Sequence, residues 1–356
     1  MDRYLLWLSR MDGISRKRQR KLFEYFGDAE AIFRASRHEL IATGFLNEQH
    51  IHKIISEQDT NLIDRYRKQL EKAEMQFIPV TSGEYPQLLK EIGEPPLGLY
   101  VSGTLPRQNK HVISIIGSRK CSEYGLSVSY RFSSELAHAG IVIVSGMARG
   151  VDSMAHREAL DGDGETVAVL GCGADVCYPP ENHSLMRRIK ECGCIVSEYP
   201  PGTKPTLGYF PARNRIISGM ARATVVVEAG RRSGTLITVD QALNEGREVM
   251  AVPGNITSKL SEGTNHLIRQ GAMLVTSSEE ILEHIGISID IQEKNSNTTL
   301  ASAEKLVYDC IGFEPIAIEM IYNKLGTPPG DINYVLTLLE MRRLIRRLPG
   351  QRVARI

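Results

Sequence analysis

The sequence of 356 residues lacks the features of a membrane or secreted protein. No run approaches the roughly 18 uninterrupted apolar residues of a membrane-spanning helix. The segment from Met1 to Met11 carries Asp2, Arg3 and Arg10, which does not match the layout of a signal peptide. We therefore expect a cytoplasmic protein with no membrane partner.

Cysteine is scarce, and the common catalytic motifs are missing. None of the six cysteines lie in the C-x-x-C pairs that structural zinc sites favour, and we expect Cys192 and Cys194 to be reduced thiols rather than a redox or metal pair. The chain has no P-loop, no G-x-S-x-G and no H-E-x-x-H. Gly171-x-Gly173 is followed by Val176 where a dinucleotide fingerprint needs glycine. We expect no cofactor and no metal, and surface or capping roles for His156 and His183.

The net charge is also small. Lys and Arg number 43 and Asp and Glu 42, which gives a formal charge of +1, so any basic site must be local. The composition, with 42% hydrophobic and 24% charged residues, is that of a globular protein. A chain of this length is typical of two or three domains.

The periodicity of apolar residues divides the chain into four parts. Residues 1–70 have the spacing of short helices joined by glycine turns, which resembles a helix-hairpin-helix or sterile-alpha-motif-like unit. The basic run at residues 16–21 is either a solvated helix face or a phosphate contact. Residues 289–300 are polar and predict a linker. Residues 301–356 have the size and order of a winged-helix-like domain, with a wing turn at 348–351.

Residues 71–288 predict a different architecture. Short β-branched runs alternate with helical stretches, which indicates an α/β domain with a mostly parallel, doubly wound sheet. The predicted strands cover residues 111–116, 141–145, 166–170, 194–199, 224–228, 248–252 and 272–276, with shorter pieces at 77–80 and 99–101. We therefore predict an extended Rossmann-like fold between the helical and winged-helix-like domains.

Glycine-rich loops follow the predicted strands, where ligands bind in open α/β sheets. Gly117-Ser118-Arg119 follows the first strand, and Gly146 to Gly150, with Arg149, follows the second. Backbone amides at such turns bind anions, and arginine adds charge-assisted bonds to phosphate, although each glycine is equally compatible with a tight turn alone. Ser233-Gly234-Thr235 offers two hydroxyls and a free amide at a helix start.

Six motifs in chain order resemble the DNA-processing protein A family, also called Smf. They are Gly117-Ser118-Arg119, Ser145-Gly146-x-Ala148-x-Gly150-Val151-Asp152, Ala168-Val169-Leu170-Gly171-x-Gly173-x-Asp175-x-x-Tyr178-Pro179-x-Glu181-Asn182, Phe210-Pro211-x-Arg213-Asn214-Arg215-Ile216-Ile217-Ser218-Gly219, Val227-Glu228-Ala229-x-x-x-Ser233-Gly234-Thr235 and Val252-Pro253-Gly254. The resemblance implies a bacterial protein that binds and protects single-stranded DNA during natural transformation and helps to load RecA.

The resemblance also implies functional residues. Arg119 should contact the DNA strand, and Arg213, Asn214 and Arg215 should line the same groove. Lys204 is a neighbouring phosphate contact, and Phe210 either stacks on a base or closes the loop as a core aromatic. The full predicted DNA site is Gly117, Ser118, Arg119, Gly146, Arg149, Gly150, Lys204, Phe210, Arg213, Asn214, Arg215, Ser233, Gly234 and Thr235. Asn265, Leu267 and Ile268 correspond to the family's self-association surface, which implies a homodimer, with burial of Leu267 and Ile268 in the core as the alternative.

An enzyme is the main alternative, because the domain also resembles the Lonely Guy nucleoside-monophosphate phosphoribohydrolases. Those enzymes use a Glu that falls at Thr238 here, and a neutral hydroxyl cannot act as the general base. Glu228 and Asp152 are the carboxylates that could substitute. We expect a binding protein without catalytic residues.

The role of the C-terminal domain stays open at this stage. Its last sixteen residues contain six arginines and no acid, which favours contact with a DNA backbone. The arginines are Arg342, Arg343, Arg346, Arg347, Arg352 and Arg355. The predicted recognition helix, residues 331–341, is poor in base-reading side chains, which favours protein contact instead.

Overall fold

The structure, a computed structural model, describes residues 2–287 and 302–355, apart from residues 313, 314, 327 and 343. The predicted linker at 289–300 lies outside the described residues. Within these ranges, no helix combines the length and apolar composition needed to cross a bilayer.

The N-terminal segment is helical, as predicted. It contains α1 (Arg3–Ser9), α2 (Arg16–Phe26), α3 (Ala29–Arg34), α4 (Arg37–Ala42), α5 (Glu48–Ser56) and α6 (Thr60–Lys72). Local capping explains the boundaries. The Asp2 carboxylate accepts the amides of Tyr4 and Leu5 at the start of α1. Gly27 ends α2 in the left-handed region at φ 72°, a conformation that glycine adopts without steric cost.

These helices share a hydrophobic core with the adjoining domain. Leu5 and Trp7 are fully buried and belong to the same apolar cluster as Leu170 and Ile195. Across this boundary the Ser9 hydroxyl lies 2.7 Å from the hydroxyl of Tyr100. The N-terminal helices therefore pack directly on one face of the sheet.

The second part of the chain is built on one nine-stranded sheet. Its strands are β1 (Gln76–Pro79), β2 (Gly98–Gly103), β3 (Val112–Ile116), β4 (Val142–Ser145), β5 (Thr166–Leu170), β6 (Cys194–Ser197), β7 (Ala223–Val226), β8 (Glu248–Ala251) and β9 (Met273–Leu274). The spatial order is β1-β2-β6-β5-β4-β3-β7-β8-β9. The pairs β1–β2 and β2–β6 are antiparallel, and the other pairs are parallel.

Helices cover both faces of this sheet and bury its strands. They are α7 (Gln87–Lys90), α8 (Glu123–His138), α9 (Val151–Asp161), α10 (His183–Cys192), α11 (Tyr209–Met220), α12 (Thr235–Asn244), α13 (Glu262–Arg269) and α14 (Ser278–His284). Strand β5 is buried along its whole length, which explains its continuous apolar sequence. The predicted doubly wound α/β fold is confirmed.

The strand order reverses at β3. The chain proceeds from β3 to β4, β5 and β6 on one side, then returns to place β7 against the other side of β3. In such sheets a crevice opens between the diverging connections, at the carboxyl ends of the strands. The crevice here lies between the loops that follow β3 and β7.

The C-terminal segment folds around its own core. It contains α15 (Ser302–Cys310), β10 (Ile316–Ala317), α16 (Ile318–Leu325), α17 (Pro329–Met341), β11 (Ile345–Leu348) and β12 (Arg352–Arg355). Strands β11 and β12 pair antiparallel across the predicted wing turn. Val307, Ile321, Leu336 and Val353 are among its buried core residues. This is the predicted winged-helix arrangement.

Candidate functional site

A groove of about 550 Å³ occupies the crevice between β3 and β7, and we call it the main groove. This volume lies within the usual range of sites for small ligands. Its walls come from the loops after β3 and β7 and from the first turns of α11 and α12. The predicted residues that line it are Gly117, Ser118, Arg119, Phe210, Arg213, Asn214, Ser233, Gly234 and Thr235.

Two exposed cations stand on one wall of the main groove. Arg119 and Lys120 follow β3, both are exposed, and neither makes an ion pair with any residue that the structure describes. Their loop packs closely on the start of α9, since a Cβ on Gly117 would lie 2.6 Å from Cγ2 of Val151. The Ser118 hydroxyl accepts the amide of Lys120 at 3.2 Å. The wall thus offers two cations to an anionic ligand.

Phe210 lines both the main groove and a smaller side pocket of about 30 Å³. The ring of Tyr178 lies 5.2 Å from that of Phe210, centroid to centroid, and the Arg119 guanidinium lies 5.8 Å from the Phe210 centroid. The predicted residues Gly146 and Arg149 line this side pocket. Phe210 is half-buried, so its ring combines a packing role with access to the groove.

Arg213 lies beneath the groove floor rather than on its surface. It is 4% exposed, and its Nη1 donates to the carbonyl oxygens of Gly146, at 3.0 Å, and Val169. A Cβ on Gly146 would meet Arg213 Nη2 at 2.5 Å, so this glycine leaves the space that the guanidinium occupies. Burial lowers the pKa of Arg213 to about 10, which leaves it cationic at neutral pH. Arg213 therefore ties α11 to the ends of β4 and β5.

Three predicted residues line neither the main groove nor the side pocket. Arg215 points to the other side of α11, where its Nη2 donates to both carboxylate oxygens of Glu198 at 2.7 Å. Lys204 is exposed in the loop before α11, outside both the main groove and the side pocket. Gly150 packs against the loop that follows β3 and has a φ of 75°. A Cβ there would collide with the carbonyl oxygen of Ser118.

Glu228 and Asp152, the two carboxylates considered as substitute catalysts, both accept hydrogen bonds from the protein itself. Glu228 is buried and accepts the backbone amide of Ser122 at 2.8 Å and its hydroxyl at 2.5 Å, which anchors the start of α8. Asp152 is buried in the groove floor and accepts the amide of Ala148 at 3.4 Å. Burial raises the pKa of Asp152, and the nearby Arg213 and Arg119 oppose that shift. Thr238 is 3% exposed and lines the groove.

The amide of Thr235 donates to the Ser233 hydroxyl at 3.2 Å. The expected surface or capping role of His156 is wrong. His156 is fully buried, with Nδ1 2.7 Å from the Thr166 hydroxyl, whose own proton goes to the Ile143 carbonyl. Nδ1 is therefore the donor, and burial lowers the pKa of this histidine to about 3. In the parts of the chain described above, no cluster of His, Cys, Asp and Glu is arranged to hold a metal.

The sequence matches known proteins over most of its length. Residues 76–286 match the sequence profile of DNA recombination-mediator protein A, and residues 292–351 match that of the DprA winged helix domain. The chain belongs to the DNA recombination-mediator protein A family. Protein Smf of Synechocystis is 30% identical over 99% of this chain and 98% of its own length. DNA processing protein DprA of Streptococcus pneumoniae is 44% identical over 56% of this chain and 70% of its own length.

Solved structures of the family have the same fold. The X-ray structure of DprA from Streptococcus pneumoniae aligns with a TM-score of 0.71 at 32% identity, covering 81% of this chain and 99% of that one. A structure of DNA processing protein A from Helicobacter pylori, described for its single-stranded DNA binding mode, aligns with a TM-score of 0.53 at 28% identity. It covers 60% of this chain and 97% of that one.

The residues assigned to a family self-association surface are mostly used within this chain. The Asn265 side chain accepts the amide of Gly254 at 3.2 Å and donates to its carbonyl at 3.0 Å. Leu267 is 7% exposed and belongs to the core beneath the sheet, and Ile268 is partly buried against the same core. The expected exposed Leu-Ile pair is therefore wrong for Leu267, and its alternative, burial in the core, applies.

Sequence reasoning missed the apolar rim of the main groove. Leu207 is 87% exposed, and Ile237 is 41% exposed; both line the groove near Phe210. Leu207 lies in an irregular loop, where no periodicity assigns a side chain to core or surface. The signal that could have found it is an isolated large apolar residue within a Gly- and Pro-rich loop.

The arginines of the winged helix are largely paired. Each of four forms an ion pair with a carboxylate that lies earlier in the chain. The pairs are Arg342–Glu304, Arg346–Glu123, Arg347–Glu340 and Arg355–Asp309. The last sixteen residues contain no acid, but their arginines are partly neutralised by carboxylates from earlier in the chain. This pairing weakens the case for contact between the winged helix and a DNA backbone. Arg343 lies outside the described residues.

Proposed function

We propose that the protein binds single-stranded DNA in the main groove, without strong sequence preference. One observation carries this proposal: Arg119 and Lys120, which have no ion-pair partner among the described residues, line the same groove as the partly exposed ring of Phe210, and the groove is large enough for a nucleotide. Cations that follow a backbone together with aromatic stacking surfaces are the common features of single-strand binding proteins. The single-stranded DNA binding of the Helicobacter pylori relative supports the same reading.

Different walls of the groove would contact the phosphates and the bases of the strand. Phosphate oxygens would lie along Arg119, Lys120 and the amides of Gly117 and Ser118, with the hydroxyls of Ser233 and Thr235 opposite. Bases would pack on Phe210 and on the apolar rim of Leu207 and Ile237. Stacking accepts any base, since every base has an aromatic face. Gly146 and Arg149 would extend the phosphate path into the side pocket.

The cellular role is proposed at a coarser level. The family is named for recombination mediators, which is consistent with a cytoplasmic protein that protects incoming single strands during natural transformation and helps to load RecA onto them. We also include a homodimer in this proposal. The partly exposed Ile268 is the remaining contributor among the three residues first considered for that interface.

We expect single-stranded DNA to bind more tightly than duplex of the same length at every salt concentration. Paired bases in a duplex cannot present a ring face to Phe210, whereas unpaired bases can. Fluorescence anisotropy with a labelled dT oligonucleotide and a blunt duplex, over a series of salt concentrations, measures both affinities. The affinity should fall steeply with salt, because phosphate contacts release counterions. Equal affinities across the series would contradict the proposal.

We further propose that the protein has no phosphoribohydrolase activity. By the resemblance to those enzymes, Thr238, which lines the groove, corresponds to their glutamate. Glu228 already accepts two hydrogen bonds from Ser122. A hydroxyl neither accepts a proton at neutral pH nor stabilises a cationic sugar. We expect no free base from AMP above the uncatalysed rate, measured by chromatography. Release of adenine that disappears in Asp152→Asn or Glu228→Gln would restore the enzyme hypothesis.

A further inference from the structure

The N-terminal helices carry a basic run at the start of α2 that only partly interacts with the rest of the chain. Arg16 donates to a backbone carbonyl of α1, Lys17 forms an ion pair with a carboxylate in the loop before β2, and Arg20 forms one within α2. The other two cations of the run, Arg18 and Lys21, are exposed and form no ion pair with any residue that the structure describes. They are therefore available to a ligand.

Tyr25 lies on the same face of α2 as these two cations. Residues three, four and seven positions apart in a helix share one face, and positions 18, 21 and 25 have this spacing. Lys21 and Tyr25 thus follow Arg18 along about two turns of the helix. The Tyr25 side chain is 54% exposed, so its ring is accessible together with the two charges.

The loop between α4 and α5 completes this surface. The ring centroid of Phe45 lies 6.3 Å from that of Tyr25 and 5.9 Å from Nζ of Lys21. Burial and, to a smaller extent, the charge of Arg18 lower the pKa of His50, which indicates that Arg18 lies near the start of α5. We call the surface formed by Arg18, Lys21, Tyr25 and Phe45 the α2 patch. None of its residues lines the main groove or the side pocket.

The acids of α2 and α5 are paired elsewhere. Glu24, the single acid of α2, lies 2.7 Å from Nε of Arg20. Glu48, the single acid of α5, forms an ion pair with Arg37. Both carboxylates therefore have cationic partners of their own, and the positive charge of the α2 patch is left for an anionic ligand.

The chemistry of the α2 patch matches single-stranded nucleic acid. Cations bind backbone phosphates and exposed aromatic rings stack on bases, a combination that recurs in single-strand binding proteins. Paired bases in a duplex do not present their faces, so a duplex would use the charges alone. An acidic peptide would likewise leave the two rings without a stacking partner.

We propose that the α2 patch is a second binding site for single-stranded DNA, separate from the main groove. Phosphates would contact Arg18 and Lys21, and a base would stack on Tyr25 with Phe45 beside it. The inference goes beyond the proposed function, because it does not depend on DNA in the groove. Two of the five cations in the basic run would then contact DNA.

Tyr25→Trp in the full chain provides a local reporter. The chain has one tryptophan, Trp7, which is fully buried, so a change in the emission of an exposed indole arises at position 25. We expect a dT oligonucleotide of about 8 nucleotides to quench this emission saturably, because a stacked base contacts the indole. Addition of Lys21→Gln should raise the oligonucleotide concentration needed for half-maximal quenching about tenfold.

Lys68→Gln is the matched control, because Lys68 is exposed on α6 and lies outside the α2 patch. It removes the same charge and should leave the quenching curve unchanged. Inorganic polyphosphate, which has charge but no bases, should compete with the oligonucleotide without quenching by itself. Arg119→Ala should also leave the curve unchanged, since Arg119 belongs to the main groove.

No quenching by the oligonucleotide, or equal curves for Lys21→Gln and Lys68→Gln, would overturn the α2 patch as a DNA site. Quenching that Arg119→Ala abolishes would overturn it too, because the signal would then come from DNA in the groove. An emission that shifts with protein concentration in the absence of DNA would show that a second copy of the chain covers the patch instead. If the reporter behaves as expected but Arg119→Ala has no effect on binding measured by anisotropy, the proposed function of the groove fails and the α2 patch stands.

Discussion

Arg119→Ala is expected to weaken binding of single-stranded DNA by about 10- to 100-fold, with only a small change in the free energy of unfolding. Arg119 is exposed, has no ion-pair partner among the described residues, and lines both the main groove and the side pocket. A charge-assisted bond to phosphate contributes about 1.5–3 kcal/mol, which corresponds to this loss of affinity. The slope of log affinity against log salt should also decrease by about 0.7, the value for one phosphate contact on a single strand.

Arg157→Ala is the matched control for this experiment. Arg157 is exposed on α9 and lies outside both pockets, so its removal changes the net charge equally without touching the groove. Anisotropy titrations give the affinities, and urea unfolding gives the stabilities. If Arg119→Ala and Arg157→Ala bind DNA alike, Arg119 does not contact the strand.

Arg213→Met should mainly reduce the stability of the fold, whereas Arg119→Ala should mainly reduce the affinity for DNA. The substitution keeps a side chain of similar length but removes the donors to the Gly146 and Val169 carbonyls. It also removes a positive charge that opposes the pKa rise of the buried Asp152. Buried acceptors left without donors cost about 1–3 kcal/mol each, and an uncompensated buried charge adds to this. We expect the free energy of unfolding to fall by about 3–5 kcal/mol.

Urea unfolding followed by circular dichroism measures the effect. Asn214→Ala, a half-exposed neighbour on the same helix, should change stability far less. The double variant Arg213→Met with Asp152→Asn should recover part of the loss, since it removes the buried charge as well. Matching unfolding midpoints for Arg213→Met and wild type would show that Arg213 is not a structural tie.

These two arginines show what sequence could and could not predict. The strand-to-loop pattern placed Arg119 at the carboxyl edge of the sheet, because strand ends are set by local periodicity. Arg213 and Arg215 stand two positions apart on α11, so about 200° of helical rotation separates them. Only the packing of α11 against neighbouring elements determines which of the two side chains faces the groove. The sequence therefore identified the segment, while packing assigned Arg213 to the floor and Arg215 to the far side.

The buried acidic residues show the same limit more sharply. Glu228 was a candidate catalyst in sequence because it follows a strand next to the predicted anion site. Its partner Ser122 is 106 positions away in the chain, and no local pattern connects the two. Leu267 is a further case, because the sequence pattern of α13 is compatible with either an exposed or a buried position for its side chain. The fold class needed only local periodicity, whereas these roles depended on contacts between distant segments.

The core shared by the N-terminal helices and the sheet has a consequence for cooperativity. Because Leu5 and Trp7 pack in the same cluster as Leu170 and Ile195, removal of residues 1–70 would leave an apolar face of the sheet open to water. The two segments should therefore melt together as a single thermodynamic unit. The winged helix has a separate core and contacts α8 through the Arg346–Glu123 ion pair, so we expect it to open before them. A protease should release the C-terminal segment first and leave the helices and the sheet as one resistant fragment.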